Sequence, residues 1–208
     1  MASVATGIGG AQRGVARPAQ ETDRPAICAT LSSAFEDDPV MVFMFPDPEQ
    51  RRRKLPLLFN LLLTANLPLG GCDATTGCEA ASMWRPPGKA GIPLWDILRH
   101  LSSFLNVYGL AGARRAFSLL GAMDRHHPTE PHWYLMVIGT DPAQQGKGFG
   151  GVTLRHRLAQ VDAAHLPAYL EASKWDNVPI YQNFGFEQRG ALQVPGGPVI
   201  YPMWRPAR

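Results

Sequence analysis

The chain has 208 residues, of which 45% are hydrophobic and 18% are charged. These proportions are typical of a globular protein, and the length favours one domain with a substantial buried core. The net charge of +3 is too small and too scattered to form a nucleic-acid-binding surface, so we expect no nucleic-acid partner. The densest run of cations, at 51–54, is predicted to be the solvated start of a helix.

The cysteines and the apolar runs exclude other classes of protein. Cys28, Cys72 and Cys78 are odd in number and have no C-x-x-C spacing, which favours reduced thiols over disulfides or a zinc site. The sequence lacks a basic start followed by an apolar core, so we predict no signal peptide. The apolar run at 55–63 is short and is interrupted by Pro56 and Asn60, so we do not expect it to span a membrane. We therefore expect a cytoplasmic protein with no metal and no membrane partner.

In the first half of the chain, turn residues separate short periodic segments. Residues 1–14 contain four glycines and few large side chains, which predicts a flexible leader before one domain at 15–208. Apolar spacing and breakers then predict a strand at 15–18 and a helix that begins near Asp23 and carries Ile27, Leu31 and Phe35. An apolar segment of undecided type at 40–47 follows, and then a helix at 49–66. The next predicted elements are a hairpin with strands at 72–74 and 79–84 and two helices at 94–108 and 111–125.

The second half of the chain begins with an apolar, β-branched and aromatic run at 132–140, which predicts a strand that Asp141 and Pro142 end. A glycine-rich turn follows, and apolar residues at helical spacing predict a helix at 152–161. Further on, the pattern predicts a strand at 168–172, a short helix that begins at Asn177 and stops at Gly185, and a closing pair of strands.

The glycine turn between strand and helix is the most informative stretch. It contains Gln145, Gly146, Lys147, Gly148, Phe149, Gly150 and Gly151. Glycines allow the backbone to come close to a ligand, and the free amides of a helix's first turn attract an anion. Because Lys147 adds a positive charge, we predict that this turn binds a pyrophosphate.

Two fingerprints overlap at this turn. Residues 146–151 fit G-x-G-x-x-G, the dinucleotide pattern, but the dinucleotide fold needs several further βα units and only about sixty residues remain. Residues 145–150 also read Q-x-x-G-x-G, and this hexapeptide between a strand and a helix resembles the acetyl-coenzyme A loop of the GNAT N-acetyltransferases. Glu171 in the next strand, and Asn177, Tyr181 and Gly185 after it, resemble the second half of the same signature.

The resemblance extends over about residues 15–205, and the layout is similar to that of the puromycin N-acetyltransferases, which raises antibiotic resistance as a role. It implies an α/β fold of the α+β type: a mixed, mostly antiparallel sheet flanked by helices, with splayed central strands and a helical insertion before the cofactor strand. It further implies acetyl-coenzyme A (acetyl-CoA) as donor, a small amine as acceptor, and a monomer or homodimer. The implied cofactor-binding residues are Ile138, Gly139, Thr140, the turn residues 145–151 and Asn177.

Acetyl transfer to an amine requires proton transfers. A lysine-like amine is neutral in only about one molecule in two thousand at pH 7, so removing its proton costs roughly 4–5 kcal/mol. A base must accept that proton, and the leaving thiolate needs an acid. The resemblance makes Tyr181 the candidate acid. Tyr134 stands where several family members have a glutamate. The candidate bases are His132, which resembles a strand histidine of the arylalkylamine branch, Glu171 on the adjacent strand, or a chain of waters.

Two other functions remain open at this point. One is a non-catalytic coenzyme A-binding or sensor domain that kept the turn and lost the base, and the other is an NAD(P)-dependent reductase. His126 and His127 precede Pro128 in a loop and lack the partners that a metal site would need. The sequence does not identify the acceptor.

Overall fold

The computed structural model of the chain describes residues 14–89 and 101–208. Residues 1–13 of the predicted leader and residues 94–100 of a predicted helix lie outside this part. The described chain forms eight strands: β1 (Ala16–Pro18), β2 (Cys72–Thr75), β3 (Ala80–Arg85), β4 (Trp133–Thr140), β5 (Ala168–Ala172), β6 (Glu187–Gln188), β7 (Leu192–Gln193) and β8 (Val199–Arg205). Its α-helices are α1 (Arg24–Ala34), α2 (Pro39–Met44), α3 (Pro48–Asn66), α4 (Leu101–Asp124), α5 (Phe149–Ala163) and α6 (Val178–Gln182).

The strands form one mixed sheet in the order β1-β2-β3-β4-β5-β8-β6, with β7 also on β8. All described pairs are antiparallel except β4 with β5, so the prediction of a mostly antiparallel sheet is confirmed. The parallel pair is short: it runs from Trp133 opposite Ala168 to Leu135 opposite Leu170. Both strands continue beyond it without pairing to each other, and the gap between them is the predicted splay.

A β-bulge on β4 decides which face of the sheet its side chains reach. Met83 pairs with Val137 while the next residue, Trp84, pairs with Leu135, so Met136 is the extra residue. An extra residue shifts the alternation of side chains by one position. As a result Val137 packs in the hydrophobic cluster that contains α1 and α3, whereas Leu135 packs in the cluster that contains α5.

The apolar segment at 40–47, whose type the sequence did not decide, begins with helix α2. The Asp38 carboxylate accepts hydrogen bonds from the amides of Val40 (2.9 Å) and Met41 (3.3 Å), and Pro39 occupies the first helical position. An aspartate followed by a proline therefore starts a helix here. The helices predicted at 94–108 and 111–125 are one element in the described chain, kinked at Gly109 with φ 59°.

The prediction of a solvated cationic run at 51–54 is wrong for Arg51. Its side chain is buried, and its guanidinium donates to the carbonyls of Glu36 (2.6 Å) and Phe45 (2.7 Å). Buried carbonyl groups at the end of a helix need donors, and Arg51 supplies them. Arg52 and Arg53 are exposed, as expected.

Two close contacts fix the glycine turn against the sheet. Arg157 of α5 forms a buried bidentate ion pair with Asp73 of β2, at 2.8 and 2.7 Å. On the other face of β4, a Cβ on Gly139 would stand 2.9 Å from the Cβ of Ala34, so only glycine allows α1 to pack this closely. Thus β4 and α5, which flank the turn, are both held by tertiary contacts.

Three further properties complete the description. Cys28, Cys72 and Cys78 are buried free thiols. No helix in the described ranges is long and apolar enough to cross a membrane. Across the same ranges, no group of three His, Cys, Asp or Glu side chains is arranged to hold a metal ion.

Candidate active site

The glycine turn presents unbonded amides. Gly146 and Gly148 adopt φ of 79° and 86°, a left-handed conformation that favours glycine. In the part of the chain that the structure describes, the amides of residues 146–151 make no hydrogen bond, and no side chain caps α5. A Cβ on either glycine would meet nothing within 4 Å. The turn is therefore a concave row of donors with open space in front of it, as an anion site requires.

The turn forms one end of a cleft of about 1810 Å³. All the predicted cofactor-binding residues line this cleft: Ile138, Gly139 and Thr140 on β4, residues 145–151, and Asn177. Lys147 is held back against the turn, because its ammonium donates to the Gln144 side chain at 2.8 Å. Among the described residues, five further cations line the cleft, and no motif in the sequence indicates them: Arg85, Arg155, Lys174, Arg205 and Arg208.

Glu171 lies in the same cleft, on the strand that diverges from β4. Its side chain is only 3% exposed, and its Oε1 makes no hydrogen bond within the described chain. The Nδ1 atom of His127 lies 3.8 Å from that oxygen. Burial, and next the charge of Glu171, raise the pKa of the Tyr134 and Tyr169 phenols, so both stay protonated beside the carboxylate.

His132, a predicted base, is not among the residues that line the cleft. It is 4% exposed, with Nδ1 2.6 Å from the carbonyl oxygen of Glu130 and Nε2 3.1 Å from Nε2 of His127. Burial is the main cause that lowers its pKa. The structure thus places His127 between His132 and Glu171. No local pattern in the sequence indicates this position of His127, because the side chains that it contacts come from strands β4 and β5.

Tyr181, the predicted acid, also lines the cleft. Its pKa is raised by burial and then by the nearby charge of Asp38. Asp38 is itself buried, accepts a short hydrogen bond from the Ser173 hydroxyl, and has its pKa raised by burial. Tyr181 therefore remains protonated at neutral pH in an apolar environment.

The rest of the cleft is apolar. Three helices supply most of this wall, with Val40, Met41 and Met44 from α2, Leu58, Leu61 and Leu62 from α3, and Phe104, Phe117, Leu119 and Leu120 from α4. Asp124, at the end of α4, lines the cleft as well. The helical insertion before β4 thus forms one side of the chamber that contains Glu171.

Comparisons with known proteins identify this arrangement. No protein-family model matches the sequence. An uncharacterized N-acetyltransferase from Schizosaccharomyces pombe is 29% identical over 195 residues, which cover 86% of this chain and 76% of that protein. The structure described as histone acetyltransferase HPA2 and related acetyltransferase, from Corynebacterium glutamicum, superimposes with a TM-score of 0.74 at 26% identity, covering 95% of this chain and 98% of the other. The curated relative and the solved structures together indicate a GNAT-superfamily N-acetyltransferase.

These relatives support an acyltransferase, and the fold that they share implies acetyl-CoA as the donor. A Drosophila melanogaster polyamine N-acetyltransferase shares the fold, with a TM-score of 0.63, 15% identity, and coverage of 92% of this chain and 99% of the other. The row of unbonded amides at the turn and the stretch of β4 that does not pair with β5 fit a phosphate-bearing thioester of that kind.

Proposed function

We propose that the protein transfers an acetyl group from acetyl-CoA to the amine of a small molecule, by direct attack in a ternary complex. The observation that carries this proposal is one continuous cleft, which joins the unbonded amides of residues 146–151 to the buried carboxylate of Glu171. An anion site and a site for a cationic amine therefore open into the same space.

The donor would be held by the predicted residues. The amides of 146–151 would receive the pyrophosphate, with the cleft-lining cations nearby, and Ile138, Gly139 and Thr140 would offer main-chain groups to the pantetheine arm. Asn177 lies on the opposite wall, before α6. When bound, acetyl-CoA supplies a thioester carbonyl that a neutral amine can attack.

Tyr181 is proposed as the acid. Its raised pKa ensures that the phenol carries the proton that a departing sulfur requires. The same raised pKa makes it a weak acid, so we expect a hydrogen bond to the sulfur first and proton transfer late in the step.

The walls of the cleft favour an acceptor with one amine on an apolar body. Among the described residues that line the cleft, the carboxylates are Asp38, Asp124, Asp162 and Glu171. Asp38 is occupied by Ser173 and by the amides of α2, and Asp162 forms a bidentate pair with Arg205 at 2.5 and 2.9 Å. That leaves Glu171 at depth and Asp124 at the rim, too few for a polycation. We therefore propose an arylalkyl or similar monoamine.

A thiol-release assay with a panel of amines tests this function. The panel would contain a phenylalkylamine, an aminonucleoside antibiotic, agmatine and spermidine, with mass spectrometry to detect the acetylated product. We expect product in proportion to released thiol, and a higher kcat/KM for the phenylalkylamine than for spermidine. The reverse order would refute the acceptor class and leave acetyl transfer intact.

Binding measurements separate the other two functions. A ligand at one hundred times its Kd stabilises the protein by about 2.7 kcal/mol, which a thermal-shift experiment resolves. Stabilisation by acetyl-CoA without turnover of any amine would support a coenzyme A sensor. Stabilisation by NAD or NADP and not by acetyl-CoA would support a reductase.

A further inference from the structure

The side chains around His127 form a hydrogen-bonded series that determines where the imidazole protons lie. We propose that His127 is the general base of the reaction and that His132 is a positioning residue, which holds His127 in the tautomer that faces Glu171 with a bare nitrogen. This inference rests on the proposed function, because it concerns the proton of the acceptor amine.

The hydrogen bonds of His132 determine which of its ring nitrogens carries the proton. Its Nδ1 lies 2.6 Å from the carbonyl oxygen of Glu130, and a carbonyl only accepts, so Nδ1 carries a hydrogen. Burial lowers the pKa of His132 and keeps the ring neutral at pH 7. A neutral imidazole has one N–H, so Nε2 of His132 is an acceptor.

The hydrogen bond between the two rings then fixes the tautomer of His127. The two Nε2 atoms are 3.1 Å apart, and since that of His132 accepts, that of His127 donates. Neutral His127 consequently has a bare Nδ1, which lies 3.8 Å from Oε1 of Glu171. Oε1 has almost no accessible surface, whereas the His127 side chain is 19% exposed and lines the cleft. The acceptor's amine can therefore approach His127 from the cleft, with the buried carboxylate beside the imidazole.

Either His127 or Glu171 could take the proton of the acceptor's ammonium group, and their chemistry favours His127. Toward an ammonium group, an imidazole is intrinsically a stronger base than a carboxylate. In the transfer, an N–H bond of the ammonium breaks, its electron pair stays on the nitrogen, and the proton binds Nδ1 of His127. The nearby negative charge of Glu171 stabilises the imidazolium that results.

The groups around His127 from each neighbouring element are consistent with this role. Tyr134 faces it from β4, and His132 faces it from the position before that strand. Tyr169 and Glu171 face it from β5, and its backbone follows α4 next to Asp124. On β3, Arg85 also lines the cleft and acts on Tyr134. Both phenols stay neutral, because burial raises their pKa values.

Variants of the two histidines test the proposal by kinetics. His127→Gln should lower kcat at pH 7 by about 10²- to 10⁴-fold and leave the Kd for acetyl-CoA unchanged. The loss should shrink to less than tenfold with an acceptor amine of low pKa that is already neutral at pH 7. His126→Gln is the matched control, since His126 bonds to the Ala122 carbonyl outside the cleft, and it should retain full activity.

His132 is tested by the difference between two replacements. His132→Leu removes the acceptor for the Nε2 proton of His127 and should lower kcat and shift the acid limb of the pH profile, with KM little changed. His132→Gln retains an oxygen that can accept this proton and should restore part of the loss. Equal effects of Leu and Gln would overturn the positioning role.

A spectrum of the wild-type protein tests the arrangement without turnover. Long-range ¹H–¹⁵N correlations of ¹⁵N-histidine protein at pH 8 should show His132 protonated at Nδ1 and His127 protonated at Nε2. His127 protonated at Nδ1, or a wild-type kcat for His127→Gln at pH 7, would overturn the proposal. A wild-type protein that acetylates no amine would instead refute the proposed function, and the spectrum would still decide the tautomers.

Discussion

A single methyl group added at Gly148 should separate the anion-binding role of the turn from its contribution to stability. Gly148 has φ 86°, and a Cβ there would meet no atom within 4 Å, so Gly148→Ala introduces backbone strain without a clash. Left-handed backbone costs a residue with a Cβ roughly 1–2 kcal/mol. For a chain of this size, that loss lowers Tm by about 2–8 °C.

The same methyl group should have a larger effect on the donor. The Cβ would project into the space where the pyrophosphate is proposed to lie, and losing one hydrogen bond to a charged group costs about 1.5–3 kcal/mol. We therefore expect the Kd for coenzyme A, measured by isothermal titration calorimetry, to rise between about tenfold and one-hundredfold.

Gly196→Ala is the matched control. Gly196 has φ 68°, would also place its Cβ in open space, and does not line the cleft. It should lose a similar amount of stability, measured by thermal unfolding, and keep its affinity for coenzyme A. The reasoning would be refuted if both variants bound coenzyme A equally well, or if both lost affinity in proportion to their stability.

Three further outcomes follow from the structure. Arg157→Met leaves the Asp73 carboxylate buried without its guanidinium partner. It should lower the free energy of unfolding, measured by urea titration, by about 3–5 kcal/mol. A loss below 1 kcal/mol would contradict the tight packing of α5 on β2. Tyr181→Phe should lower kcat more than it changes the Kd for acetyl-CoA, and an unchanged kcat would exclude Tyr181 as the acid. The hydrogen bond from Arg17 lowers the pKa of Asp23 to about 2, so its stabilisation is present above the ordinary carboxyl pKa and is lost as the pH falls through about 2. The destabilisation by Asp23→Asn, measured by urea midpoints, should accordingly be largest near pH 6 and shrink between pH 4 and pH 2; a difference independent of pH would contradict this.

The features that the sequence predicted are those that depend on local patterns. Strand β5 was predicted with its observed bounds, because a run of apolar residues between breakers determines it. The glycine turn was predicted because strand, glycines and helix follow one another along the chain. The splay of β4 from β5 came from the family resemblance and was confirmed by pairing that stops at Leu135.

The features that the sequence did not predict depend on partners distant in the chain. The burial of Arg51 requires the carbonyls of Glu36 and Phe45, and no periodicity in its own helix indicates this. The position of His127 depends on the parallel pairing of β4 with β5, which brings Glu171 beside a loop forty-four residues earlier. The bulge at Met136 likewise arises only when β4 pairs with β3.

A crystal structure of the protein with coenzyme A is the most direct test of the central claim. The account predicts diphosphate oxygens about 2.7–3.2 Å from amide nitrogens of residues 146–151, and a pantetheine arm in the gap between β4 and β5. A diphosphate bound elsewhere, with those amides directed away from it, would contradict the account.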